Sequence, residues 1–220
     1  MKLNRQVKTF VFMVLILISF MVNEHHSARA FNDSLDIEEW IVESEESHWS
    51  AAELAVVEET LLNTAQALDD AGYDGLSLLS GYHFRRQHQE FVDDIDGRIA
   101  LVRHQQQEII LADTAFLRLQ GYYIYHELGH VVDKRLERKL GERFHALAGS
   151  AVHADSQLTA DGFWLNEHAR TDQQEATADA FALWVVLNYT DNYKPVFWNT
   201  PYAVSYEMIV ETMDRALGEF

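Results

Sequence analysis

The sequence predicts an α+β fold: a mainly helical domain with a small sheet ahead of one helix. Three observations carry this. Apolar residues recur at helical spacing over most of the chain, but the period changes from Gly75, and residues 98–103 alternate apolar and polar. Just beyond that change, His126-Glu127-Leu128-Gly129-His130 sits inside an apolar helical pattern. Only two prolines, Pro195 and Pro201, interrupt the chain, and there is neither a Gly/Ser-rich linker nor a repeat. One domain is therefore expected over residues 31–220, a length of 190 residues that supports a single core.

Residues 1–30 read as an export signal rather than as fold. Lys2, Arg5 and Lys8 make a basic start, an apolar run of 13 residues spans 10–22, and Ala28-Arg29-Ala30 offers a small-residue site for cleavage after Ala30. The run falls short of the ~20 residues needed to span a bilayer, so cleavage is expected over an uncleaved anchor. No cysteine follows the run, which excludes a bacterial lipid anchor. A secreted, extracellular chain without stable membrane association is the expectation. With no cysteine anywhere, disulfides, thiol catalysis and cysteine-ligated zinc are excluded. Without positions 1–30, 13 basic and 34 acidic residues remain, a net charge of −21. Such a surface repels phosphate backbones and argues against nucleic-acid partners. Solubility is the plain explanation; a preference for basic substrates is the alternative.

The elements follow in order. Residues 32–49 mix acidic side chains with Trp40, Ile41 and Trp49, and predict a short frayed acidic helix. Ser50 with Glu53 forms a capping box for a scaffold helix through Leu54, Val57, Leu61, Leu62, Ala65 and Leu68, which Gly72 ends. Leu76-Ser77-Leu78-Leu79 reads as a short strand, Arg98–Arg103 as a second after the Asp96-Gly97 turn, and Glu108–Ala112 as a third. The third has two readings: a strand that binds an extended peptide along an exposed edge, or an ordinary core strand. The motif helix is expected from near Gln120 to Leu140, closed by Gly141. Residues 142–170 show no strong period and predict partial loop. Thr171 or Asp172 caps a helix to about Asn188, and Thr200-Pro201 starts a last helix over Tyr202–Leu217.

The chemistry lies on two of these helices. Residues four apart share a helix face, so His126 and His130 can take one zinc ion together, with Glu127 beside them as general base. A catalytic zinc needs a third protein ligand and an open position. Position 136 holds Leu136 and position 133 holds Asp133, so the extended three-histidine pattern is absent. Glu175 is the candidate third ligand. Asp179, one turn further, can accept the outer N–H of a ligand histidine and fix its tautomer. A solvated acidic face is the alternative for this pair. Asp133 shares the histidine face and is a candidate to orient His130, or else a solvated helix acid. His48, His83, His88, His104 and His145 have no partner at ligand spacing, and core packing is the safer reading for Trp164, Tyr189, Tyr193, Phe197 and Trp198.

The runs His126-Glu-Leu-Gly-His130-Val-Val-Asp133 and Glu175-Ala-Thr-Ala-Asp179-Ala-Phe-Ala182 resemble the gluzincin metallopeptidases. Within them the chain looks most similar to the anthrax lethal factor catalytic domain and the secreted Pro-Pro endopeptidases, over roughly residues 98–215. The separation of Glu175 from His130, 45 positions, suits that group better than thermolysin-like enzymes. The resemblance implies a zincin-like fold, one Zn2+ per chain, and cleavage of extended, often proline-containing, peptide or protein substrates by a monomer. Two departures stand out. Seven residues before the ligand glutamate the family has an oxyanion-stabilising tyrosine; this chain has His168. An N–H-donating histidine can serve there, with Tyr122, Tyr123 and His153 as competitors. The family's second acid is typically glutamate, where this chain has the shorter Asp179. The expected function is a secreted zinc metalloendopeptidase. Its rivals are a non-catalytic zinc-binding or adhesion protein on the same fold and a toxin enzyme, for which 190 residues leave no delivery domain.

Overall fold

The computed structural model describes residues 35–43, 48–87, 99–116, 121–154, 172–190 and 203–218, and all but Leu35 belong to the unit Asp36–Phe220. Its elements are an α+β set, mainly helical, with a four-stranded mixed sheet that precedes most of the helices. No helix among the described residues is long and apolar enough to cross a membrane.

The chain opens with a 3-10 turn, Ile37–Trp40, capped by Asp36, whose carboxylate accepts from Glu38 N–H. Strand β1, Ile41–Val42, follows. Among the described residues of the acidic helix expected over 32–49, there is a single turn and a strand instead. β-branched Ile41 and Val42 favour extended backbone, and β2 supplies their partner. Helix α1, Ala51–Asp70, starts with the expected capping box: Ser50 N donates to Glu53 Oε2 at 2.8 Å, and Glu53 N to Ser50 Oγ at 3.3 Å. Gly72, at φ 93°, takes the left-handed position beyond its end.

The strand expected at Leu76–Leu79 is instead helix α2, Gly75–Leu79. Asp74 caps it by accepting from Ser77 N at 3.0 Å, and Asp69 accepts from Gly75 N at 2.8 Å. A Cβ on Gly75 would lie 2.2 Å from the Ala65 carbonyl oxygen, so only glycine lets this turn sit on α1. A four-residue apolar run cannot by itself distinguish strand from helix, and here the caps decide.

Strand β2, His83–Gln87, has no sequence signature, because only Phe84 of its five residues is buried. Pairing creates it. β3, Ala100–Arg103, and β4, Glu108–Ala112, agree with the strands expected there. The sheet order is β1-β2-β4-β3, with β1, β2 and β4 parallel and β3 antiparallel to β4. Glu108–Ala112 therefore has both edges occupied, and Ile109, Ile110 and Leu111 are fully buried. It is a core strand and cannot take a peptide along its edge; the margins of the sheet are β1 and β3. Arg86 of β2 ties the sheet to its surroundings, 2.7 Å from Glu53 at the start of α1 and 2.8 Å from Asp113 after β4.

Helix α3, Tyr122–Arg135, carries the histidine motif. It ends earlier than expected. A turn at Leu136–Arg138, with Glu137 and Arg138 both at positive φ, leads into helix α4, Lys139–Ala154, and Gly141 lies inside α4 rather than closing α3. Residues 142–154, within the 142–170 stretch expected to be partly loop, are thus helical. Helix α5, Gln173–Tyr189, is capped by Asp172, whose carboxylate accepts from Gln174 N at 2.8 Å. Every residue from Ala176 to Leu187 is buried, because α1, α3, α4 and helix α6, Ala203–Gly218, all pack on α5. Tyr73 OH donates to the Leu217 carbonyl at 2.8 Å, fastening the end of α6 to the turn after α1.

Candidate metal centre

Helical pitch brings His126 and His130 together on α3, with ring centroids 4.9 Å apart and Nε2 atoms 3.2 Å apart. Glu175, in the first turn of α5, reaches both: its Oε2 lies 3.0 Å from His126 Nε2 and 3.4 Å from His130 Nε2. The ligand atoms of these three residues fall within 4.8 Å of one another, and the set can hold a metal ion. Asp179, one turn along α5, accepts from His126 Nδ1 at 2.7 Å. The sequence expectation for His126, His130, Glu175 and Asp179 is thereby brought to one place.

Helix α5 gets this close because α3 carries a glycine in the middle of the motif. A Cβ on Gly129 would lie 3.0 Å from Ala178 Cα and 3.1 Å from its carbonyl oxygen. The two backbones touch there, with no side chain between them. His126 and Asp179 on one side, and the aliphatic faces of both helices on the other, then fall into register.

The donor chemistry fits a divalent cation. With Nδ1–H given to Asp179, a neutral His126 presents a lone pair at Nε2, directed at a carboxylate oxygen and a second imidazole nitrogen. Three electron-rich atoms facing one another need protons or a metal between them. Zinc bonds of ~2.0–2.1 Å in a tetrahedral site set ligand atoms about 3.3 Å apart, and the observed separations of 3.0, 3.2 and 3.4 Å bracket that value. Without a metal the cluster holds a proton instead. Burial disfavours the charged His126 ring, but Asp179 and Glu175 outweigh it and raise its pKa to about 10. Hydrogen bonds from His126 and His130, set against desolvation, keep the Glu175 carboxyl well below the usual carboxylate range.

Glu127, next to His126 on α3, is buried, at 6 % exposure. Burial pushes its pKa up, the two neighbouring histidines pull it down, and a hydrogen bond from the Val102 backbone N–H also favours the carboxylate. The strand register explains that donor. Ala112 N donates to the Ile99 carbonyl at 3.0 Å, and Ala100 is opposite Leu111. Ile99, Leu101 and Arg103 therefore turn their main-chain groups toward β4, while Ala100 and Val102 turn theirs outward from the sheet margin. The margin of β3 and the buried glutamate thus meet. Sequence alternation marked Val102 as a side chain; its backbone role becomes visible only once the strand order is known.

Asp133 differs from its sequence reading. It is buried, but its oxygens accept from Arg138 Nη1 at 2.8 Å and from Gly141 N at 2.9 Å, and neither is bonded to His130. It closes the α3–α4 turn rather than orienting a ligand ring. Tyr122 and Tyr123 stack edge to face in the first turn of α3, their ring centroids 6.2 Å apart. His168 and the cleavage site after Ala30 lie outside the described residues, as does the side chain of His153. His104, read as a surface or packing residue, packs: its Nδ1 is 2.8 Å from Tyr82 OH, and burial lowers its pKa to about 4. No protein-family model, curated protein or solved structure matches this chain.

Proposed function

We propose that this chain is a secreted zinc-dependent endopeptidase of the gluzincin kind, acting on extended peptide segments. The observation that carries the reading is the adjacency of a three-ligand cluster and a buried glutamate on one helix. His126, His130 and Glu175 would hold the ion, and Asp179 keeps His126 protonated at Nδ1 so that Nε2 faces the cluster. Zinc, when bound, supplies Lewis acidity, acidifying water toward a pKa of ~7 and polarising a carbonyl.

The remaining work belongs to the protein. Glu127 takes a proton from the attacking water and passes it to the departing amine. Its burial raises its basicity, which supports that role. The outward N–H and C=O groups of Ala100 and the outward C=O of Val102 would offer an extended peptide a strand to pair with, beside the glutamate that takes the Val102 N–H. His168 is proposed to donate to the developing oxyanion, as the family resemblance implies. Export through residues 1–30 belongs to the same proposal.

Glu127→Gln tests the mechanism. The variant should bind zinc as the native chain does and lose hydrolysis by ~10²–10⁴-fold. Unchanged turnover would remove the mechanism. A library of proline-containing peptides, incubated with and without a chelator, tests the activity itself. Absence of zinc-dependent cleavage by folded protein would favour a metal-binding or adhesive role.

A further inference from the structure

The two histidines of the candidate centre are placed by α3 alone, but Glu175 belongs to α5 and needs an agent to hold it. Helix α4 provides one. The chain leaves α3 through Glu137 and Arg138 at φ 56° and 66°, a left-handed conformation that residues with a Cβ adopt only at a cost. Asp133 compensates. Its Oδ2 takes the Arg138 guanidinium at 2.8 Å, and the Arg138 N–H donates to the Asp133 carbonyl at 2.8 Å. Its Oδ1 accepts the Gly141 N–H at 2.9 Å, so the carboxylate at the end of one helix caps the start of the next.

The capped end of α4 then presses on the first turn of α5. A Cβ on Gly141 would lie 3.1 Å from Thr177 Oγ1 and 3.4 Å from Asp133 Oδ1. Thr177 Oγ1 donates to the Gln173 carbonyl at 2.8 Å, and His145 Nε2 of α4 lies 2.9 Å from the same oxygen and 3.3 Å from Thr177 Oγ1. Gln173 and Thr177 are the two ends of the helical turn that contains Glu175.

We propose that Asp133, Gly141 and His145 are positioning residues that fix the first turn of α5, and with it the Glu175 carboxylate, against His126 and His130. The inference rests on the metal-site reading above and assigns the three residues no contact with substrate. Their function is to make the third ligand as rigid as the two that one helix already holds. A loose Glu175 leaves a two-histidine site, which binds a divalent ion weakly and with a different geometry.

Cobalt(II) titration of the whole chain tests this, because its visible absorption reads the ligand geometry directly. The wild-type chain should give an intense four-coordinate spectrum; no cobalt band in wild type would remove the metal reading, and the positioning role with it. Gly141→Ala should retain its far-ultraviolet helical signal, bind cobalt ~10–100-fold more weakly, and show an altered spectrum. Trimming the facing side chain, in Gly141→Ala/Thr177→Ala, should restore the native spectrum. If Gly141→Ala does not fold, Asp133→Asn supplies the second test, since it keeps an acceptor for Gly141 N and loses the Arg138 ion pair. A wild-type cobalt spectrum and affinity in whichever of these variants folds would overturn the proposal.

Discussion

Helices α3 and α5 both contribute to the candidate centre, but they are built on different principles. On α3 the geometry is local: two histidines four apart face the same way in any α-helix. On α5 nothing local points Glu175 at them. That carboxylate arrives because Gly129 lets Ala178 approach backbone to backbone, because Asp179 accepts from His126, and because α4 grips the first turn. Helix α5 is also buried along twelve consecutive residues, Ala176–Leu187, so its position is a property of the whole core. A site assembled from one local and one tertiary component should respond differently to damage in each.

The largest effect should come from the far end of α5. Trp184, at 1 % exposure, packs on Phe181 and donates from Nε1 to Asp214, so Trp184→Ala should cost about 3–5 kcal/mol in denaturant unfolding. It should also weaken metal binding, since α5 carries the third ligand; a metal affinity untouched by the loss would mean that α5 is not set by its core. Next comes the metal itself. Zinc at 100 times its Kd should stabilise the wild-type chain by ~2.7 kcal/mol in thermal unfolding, and Glu175→Ala should lose most of that gain at the same zinc concentration. Equal stabilisation of both proteins would show that the two histidines suffice and would break the comparison.

A smaller effect is expected at Asp179. Its loss in Asp179→Ala leaves His126 free to choose the wrong tautomer, and zinc affinity should fall ~10–100-fold in competition with a chromogenic chelator. The smallest belongs to a site that shares the core but not the chemistry. Ser50→Ala removes the cap of α1 and should cost ~1 kcal/mol of stability. Its zinc affinity should match wild type; a change would mean that the centre senses the sheet side of the molecule.

The parts of this protein that were legible in the sequence are those decided within a few residues. Ser50 and Glu53 announced the start of α1, Asp172 announced α5, alternation announced β3, and a short apolar run announced β4. The reading missed where the deciding partner was distant. Leu76–Leu79 became helical through Asp74 and the fit of Gly75 on α1, and β2 became a strand through its neighbours, with an apolar signal in Phe84 alone. Gly141 resembled a helix terminator because glycine often is one; here it marks the place where α4 meets Thr177.

The sequence by itself determined the pairing of His126 with His130, with Glu127 between them, because helix pitch is a local constant. It also nominated Glu175 and Asp179 as a pair on one face. Only the tertiary structure decided that Glu175 meets the histidines, that Asp133 turns to Arg138 and Gly141, and that the Val102 N–H reaches Glu127. Those outcomes depend on which backbones touch and on the order of strands in a sheet. Neither is written in the spacing of residues along one chain segment, since each is settled by packing between segments far apart in sequence.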